Sequence, residues 1–259
     1  MSGGIYRRHW PGDPERPALA LHCMLASGGY WGPIAEALGG RVDLHGFDMP
    51  GHGRSDDWQP GPGDPDYHTA VTRIAASFIT RPLDLIGHSM GAVAALRIAV
   101  AAPDAVRSLT LIEPVLFAAA DDPAQRTRDE AFARALAEGR DEDATRAFLS
   151  AWGTQSYDEM PPASQAQMRK RIGLVAGLEA AQWHDSSGIL REGGLEAIDA
   201  PVLLISGAES PPVIHAISDA LAERLPDVGR ANVPGAGHMV PITHPAEVAG
   251  LIEVNLDRA

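Results

Sequence analysis

Short runs dominated by apolar residues at 18–22, 42–47, 83–86, 106–115 and 200–206 alternate with longer stretches whose apolar residues recur every three or four positions. The first kind predicts strands buried on both faces, and the second predicts amphipathic helices. Residues 5–10 and 230–233 extend the strand series at either end. Helices are expected in the second half of 22–38, over 67–79, from Met90 to Pro103, over 214–225 and after Pro245. In the second of these, Val71, Ile74, Ala75 and Phe78 fall on one face. Strands and helices taking turns at this spacing predict an α/β fold, a mostly parallel central sheet with helices on both faces. In such sheets, ligands bind at the carboxyl ends of the strands.

The pattern breaks between about 116 and 185. Residues 123–139, 141–152 and 161–177 give three amphipathic helical patterns with no strand between them, and acidic residues concentrate there, Asp121, Asp122, Asp129, Glu130 and Asp141 to Asp143 among them. This divides the chain into a core of 1–115 with 186–259 and a helical insert of 116–185. An insert after a core strand whose carboxyl end bears the site must sit above that site, which predicts a lid that excludes water and shapes substrate choice. Phe117, Trp152, Met160 and Trp183 are its candidate pocket residues.

Bulk properties narrow the partners. A chain of 259 residues with 45% hydrophobic content is long enough for one sizeable core. Its net charge of −13 disfavours nucleic acid and anionic membrane. The single cysteine, Cys23, excludes an intrachain disulfide and fits a reducing compartment. Residues 1–10 lack the apolar core of a signal peptide, and no run approaches transmembrane length. The expectation is a cytoplasmic monomer or homodimer acting on a small molecule.

The chemistry gathers around Gly87-His88-Ser89-Met90-Gly91, where a strand pattern stops and a helix pattern begins. Chance gives about 0.15 matches to Gly-x-Ser-x-Gly in a chain of this composition, so context decides its meaning. A strand, a sharp turn and a helix in succession hold a serine in a strained conformation with its hydroxyl clear of the sheet. Glycines flank it because a Cβ would collide where strand and helix pass. The helix also begins with its amides pointing to where negative charge develops in acyl transfer. Serine still needs a base within hydrogen-bond reach and an acid to orient that base.

Taken with this motif and its partners in chain order, the sequence resembles the α/β-hydrolase family over nearly its whole length, in its serine hydrolase and esterase branch with a helical cap. The resemblance implies that Ser89 is the nucleophile and that His238, in Gly235-Ala236-Gly237-His238, is the base. His22-Cys23-Met24 resembles the family's oxyanion loop, with Cys23 where a Gly is usual. Met24 and Met90 would then donate the backbone N–H groups of the oxyanion hole. Positive φ would be costly at Cys23. Asp48-Met-Pro-Gly-His-Gly-Arg-Ser-Asp56 resembles a family turn whose polar side chains brace backbone amides. His22 is read in the same way. Met24, Met90 and Met239 are expected to form a soft wall beside the site.

The acid departs from the family's pattern. Where relatives carry Asp, three residues after Gly207, this chain has Ser210. Glu209 is one residue early, in a Ser/Pro loop, and Glu113 lies at the carboxyl-terminal edge of the strand 106–115. Some branches place the acid after that strand, and Leu-Thr-Leu-Ile-Glu-Pro-Val resembles their strand ends. Glu113 is the preferred acid, with Glu209 as the alternative. The expected reaction is hydrolysis of a small to medium carboxylic ester or lactone through an acyl-enzyme, with no cofactor and no metal. The same triad serves carbon–carbon bond hydrolases and lyases resembling SHCHC synthase, and some family members are ligand receptors with little turnover.

Overall fold

The computed structural model describes residues 4–259, so the start of the opening segment lies outside the described residues. Seven strands form one sheet: β1 (Arg7–Trp10), β2 (Pro17–Leu21), β3 (Asp43–Phe47), β4 (Leu83–His88), β5 (Val106–Ile112), β6 (Val202–Gly207) and β7 (Val228–Val233). Their order is β1-β3-β2-β4-β5-β6-β7. All neighbours are parallel except the edge strand β1, which runs antiparallel to β3. This is the α/β-hydrolase arrangement.

Alternation along the strands sorts the core into two layers. Leu19, Leu21, Leu85, Leu109, Leu111, Val202 and Leu204 face one side, where they pack on α2 (Tyr67–Ala76), α3 (Met90–Ala101) and α8 (Pro212–Ala222). Ala18, Ala20, Leu44, Ile86, Ile112, Leu203 and Ile205 face the other, against α1 (Gly32–Ala37) and α10 (Pro245–Leu256). The helix α3 is buried nearly all round, as its unbroken Ala/Val/Leu/Ile content requires. The long helix expected over 67–79 ends instead at Ala76, and Phe78 lies in the following turn, stacked on Phe47.

Between β5 and β6 the chain leaves the sheet for α4 (Pro123–Ala137), α5 (Asp141–Trp152), α6 (Pro162–Ala176) and the short α7 (Glu179–Gln182), before turns return it to β6. Proline sits in the first turn of both α4 and α6, where its missing N–H removes no helical bond. Asp122 caps α4 by accepting from the Gln125 amide at 2.8 Å. The outer faces carry ion pairs such as Arg146 with Asp158 and Arg169 with Glu142. No helix among the described residues is long and apolar enough to cross a membrane.

Candidate active site

The turn after β4 is dictated by close passage. A Cβ on Gly87 would lie 2.4 Å from the Gly91 carbonyl oxygen, and one on Gly91 would lie 2.4 Å from that of Leu21. Glycine at both positions lets α3 start directly against the strand, and Ser89 between them is held at φ 57°, ψ −120°. An L-residue avoids this region, so the surrounding structure must enforce it. Two further non-glycine residues with positive φ lie at neighbouring strand ends, Leu25 at 61° and Glu113 at 53°.

These turns converge on His238. Its Nε2 lies 3.0 Å from Ser89 Oγ, and its Nδ1 lies 2.8 Å from Glu113 Oε2. The two carboxylates left open by the sequence are thereby separated. Glu113 is fully buried and in contact with the imidazole, whereas Glu209 is exposed. The other oxygen of Glu113 accepts from the Gly207 amide at 2.6 Å and the Ser210 hydroxyl at 2.7 Å. Ser210 thus turns its hydroxyl onto a carboxylate supplied by the adjacent strand. With Oε1 occupied by two donors, Oε2 is left to hold Nδ1–H. That fixes the tautomer whose Nε2 lone pair faces Ser89.

The loop after β2 is braced from below by two histidines. His22 Nε2 accepts from the Met49 amide at 2.8 Å, while its Nδ1 donates to the Cys23 carbonyl at 2.7 Å. His52 Nε2 accepts from the Leu25 amide at 3.0 Å. Burial pushes His22 down to about 4 and His52 down to about 3, so both are neutral and able to accept at neutral pH. The expected strain at Cys23 does not arise, because positive φ falls one residue past Met24, at Leu25. Burial also pushes the Cys23 thiol up to about 12, which removes it as a competing nucleophile. The Asp48 turn is bracing of the same kind: its carboxylate takes the Arg8 guanidinium and the amides of Gly28 and Arg54.

One connection escaped the sequence reading. The Cys23 amide donates to Tyr30 Oη at 3.1 Å, Tyr30 O–H donates to His88 Nδ1 at 2.9 Å, and His88 Nε2–H donates to the His238 carbonyl at 2.9 Å. Burial, and after it the neighbouring His238, hold His88 well below the usual histidine range. A neutral His88 therefore links the loop after β2 to the loop carrying His238. His88 stood inside the five-residue motif, but nothing local marks Tyr30 as its partner.

Above the three residues lies a cavity of about 390 Å³, with Met24, Ser89 and His238 in its floor. Phe117, Trp152 and Trp183 contribute to its wall. Trp152 meets the His238 ring edge-on at 4.7 Å, and Phe117 stacks on Trp183 at 4.9 Å. Two expected wall residues are elsewhere. Met90 is fully buried because the first residue of α3 points its side chain back into the core. Met239 precedes α9 (Val240–Thr243) and lies outside the cavity lining, and Met160, just before α6, is outside it too. The backbone is another matter, since an amide at the first position of a helix has no helical carbonyl to reach. Met90 holds that position at the turn bearing Ser89.

A family model described as alpha/beta hydrolase fold matches residues 17–245. The pimeloyl-[acyl-carrier protein] methyl ester esterase of Methylococcus capsulatus is 31% identical over 246 residues, covering 90% of this chain and 92% of the relative. Lipase LipV of Mycobacterium tuberculosis is 28% identical over 267 residues, covering 96% of each. Among solved structures, MGS-M2, an alpha/beta hydrolase enzyme from a Medee basin deep-sea metagenome library, superposes with a TM-score of 0.78 at 16% identity. The match covers 100% of this chain and 96% of that one.

Proposed function

The chain belongs to the α/β-hydrolase family and is a hydrolase, and on that footing we propose that it cleaves small to medium carboxylic esters through an acyl-enzyme at Ser89. The observation that carries this reading is the unbroken contact from Ser89 Oγ through the His238 ring to Glu113, opening into the apolar cavity. Ser89 Oγ attacks the ester carbonyl while His238 Nε2 takes the hydroxyl proton. The Met24 and Met90 amides stabilise the oxyanion, each such donor contributing about 3 kcal/mol in comparable sites. His238 then gives its proton to the departing alkoxide, and an alcohol leaves. Water repeats the sequence on the acyl-enzyme, with His238 as base, and releases the carboxylic acid. Glu113 holds the imidazole and stabilises the imidazolium without itself taking the proton.

Residues 116–185 act as the cap. They supply Phe117, Trp152 and Trp183, so the acyl chain is selected by aromatic surface contributed mostly from outside the sheet. A cavity of about 390 Å³ sits at the lower end of the usual range for small-molecule sites, which favours short and medium acyl groups. The relatives named as esterase and lipase support ester chemistry without fixing the acid or the alcohol.

The test is turnover of p-nitrophenyl butyrate alongside a lactone and a β-diketone. Ser89→Ala should lower ester hydrolysis at least about a thousandfold with the fold intact. A phosphonate probe should add its mass to Ser89 of the wild-type protein. Wild-type turnover in Ser89→Ala would sink the proposal. Turnover of the diketone alone would move the chemistry to carbon–carbon cleavage.

A further inference from the structure

Three ligand-type side chains meet far from that cavity, on the antiparallel edge of the sheet. The β1–β3 register sets His9 directly across from His45, and Asp43, two residues before His45, shares its face. His9 Nε2 lies 2.7 Å from Asp43 Oδ1, and His45 Nε2 lies 2.9 Å from Asp43 Oδ2. The imidazole rings are stacked, with centroids 4.4 Å apart and planes 8° from parallel. All three ligand atoms fall within 4.8 Å of one another.

The surroundings hold the trio in place. The Gly12 amide donates to Asp43 Oδ1 at 3.2 Å and orients the carboxylate from behind. The ring of Phe78 lies 6.5 Å from that of His45. The nearby Arg7 guanidinium is drawn over the same Phe78 ring, and no lysine or arginine pairs with Asp43 among the described residues. The side chains of His9, His45 and Asp43 are 47%, 36% and 21% exposed, which leaves room on the outer side for water.

We propose that His9, His45 and Asp43 bind one divalent transition-metal ion of the zinc class. The two imidazole Nε2 atoms and one carboxylate would be its ligands, with water completing the shell. Two nitrogens and one oxygen suit zinc and its neighbours rather than magnesium or calcium, which prefer all-oxygen sites. Bonds of about 2.1 Å in a tetrahedral shell put ligand atoms about 3.4 Å apart. The two nitrogen–oxygen contacts therefore have to open by roughly 0.5 to 0.7 Å, and the stacked rings have to tilt so that both Nε2 atoms face one point. On binding, the Nε2 protons now donated to Asp43 leave to solvent, and each imidazole carries its remaining proton on Nδ1 and turns its Nε2 lone pair to the metal. The ion takes no part in ester cleavage, because Asp43 opens β3 at its amino end and Ser89 follows β4 at its carboxyl end. Its effect is on β1, which joins the sheet only through β3.

The experiment is zinc titration of the full chain against a chromophoric chelator, with thermal melting in parallel. One zinc should bind with micromolar or tighter affinity and raise the melting midpoint, while magnesium and calcium do nothing. His9→Ala and His45→Ala should each weaken binding at least about tenfold, and the double variant should remove the melting shift. His184→Ala, at an exposed histidine elsewhere, is the control. Ester turnover of the metal-free variants should match wild type, which establishes that they fold. A second measurement needs no variant: zinc should shield His9 and His45 of the wild-type chain from diethylpyrocarbonate, mapped by mass spectrometry. Binding only at millimolar zinc, binding unchanged in the double variant, or equal labelling with and without zinc would each overturn the proposal.

Discussion

The turns that follow β5 and β6 lie side by side at the same end of the sheet, yet they treat charge in opposite ways. After β5, Glu113 is fully buried, its backbone is held at φ 53°, and its amide donates to the Ile205 carbonyl at 2.8 Å. After β6, the carboxylate of Glu209 points to solvent and the buried residue is the uncharged Ser210. The second turn still contributes, because the Gly207 amide and the Ser210 hydroxyl both end on Glu113. One strand end supplies the charge and its neighbour supplies the donors that steady it. What qualifies a carboxylate to orient a histidine is therefore a rigid backbone, burial and donors for its spare oxygen, rather than its offset within a motif.

The comparison breaks most sharply at Glu113 itself. Glu113→Gln keeps the shape but presents an amide N–H to Nδ1, which forces the wrong tautomer of His238. Ester kcat should fall by about a thousandfold or more, as measured by steady-state turnover on folded protein. A smaller reversal comes next. Adding Ser210→Asp to Glu113→Gln returns a carboxylate to the neighbouring turn and should recover at least about tenfold of the lost rate. No recovery would mean that the two turns are not interchangeable supports. The mildest effects sharpen the picture. Ser210→Ala removes one hydrogen bond to a charged group, so kcat should drop about tenfold with little change in KM. Glu209→Gln should stay within about twofold of wild type, as for a surface change away from the site.

Much of this arrangement can be read from the chain, because local pattern encodes local backbone. Gly87, Ser89 and Gly91 specify a strand that must turn at once into a helix, and short apolar-rich runs specify strands covered on both faces. Side-chain direction and long-range contact are not encoded in this way. Glu113 and Glu209 both follow core strands; the apolar strand before Glu113 favours it, but its contact with His238, 125 residues later, is made only in the folded sheet. Met90 belongs to the motif, yet its side chain turns into the core, which one-dimensional proximity to Ser89 conceals. The Tyr30–His88 link and the His9–Asp43–His45 trio share the same cause. Each joins strands or loops brought together by topology, and neither has a spacing that repeats along the chain.

The position of the helical insert bears on how the protein folds. The helices α4 to α7 leave the sheet at β5 and return at β6, and these strands are direct neighbours. Because the two strands are parallel, the excursion starts at the carboxyl end of β5 and closes at the amino end of β6, so the sheet fixes its ends roughly 5 Å apart sideways and roughly 10 Å apart along the strands, whatever happens between them. Closing a loop between fixed ends costs free energy that grows only with the logarithm of its length, about 0.6 kcal/mol for each doubling. The sheet can therefore assemble around an unformed insert. Helices above this core can therefore be lengthened or shortened at small entropic cost while the strands beneath stay as they are.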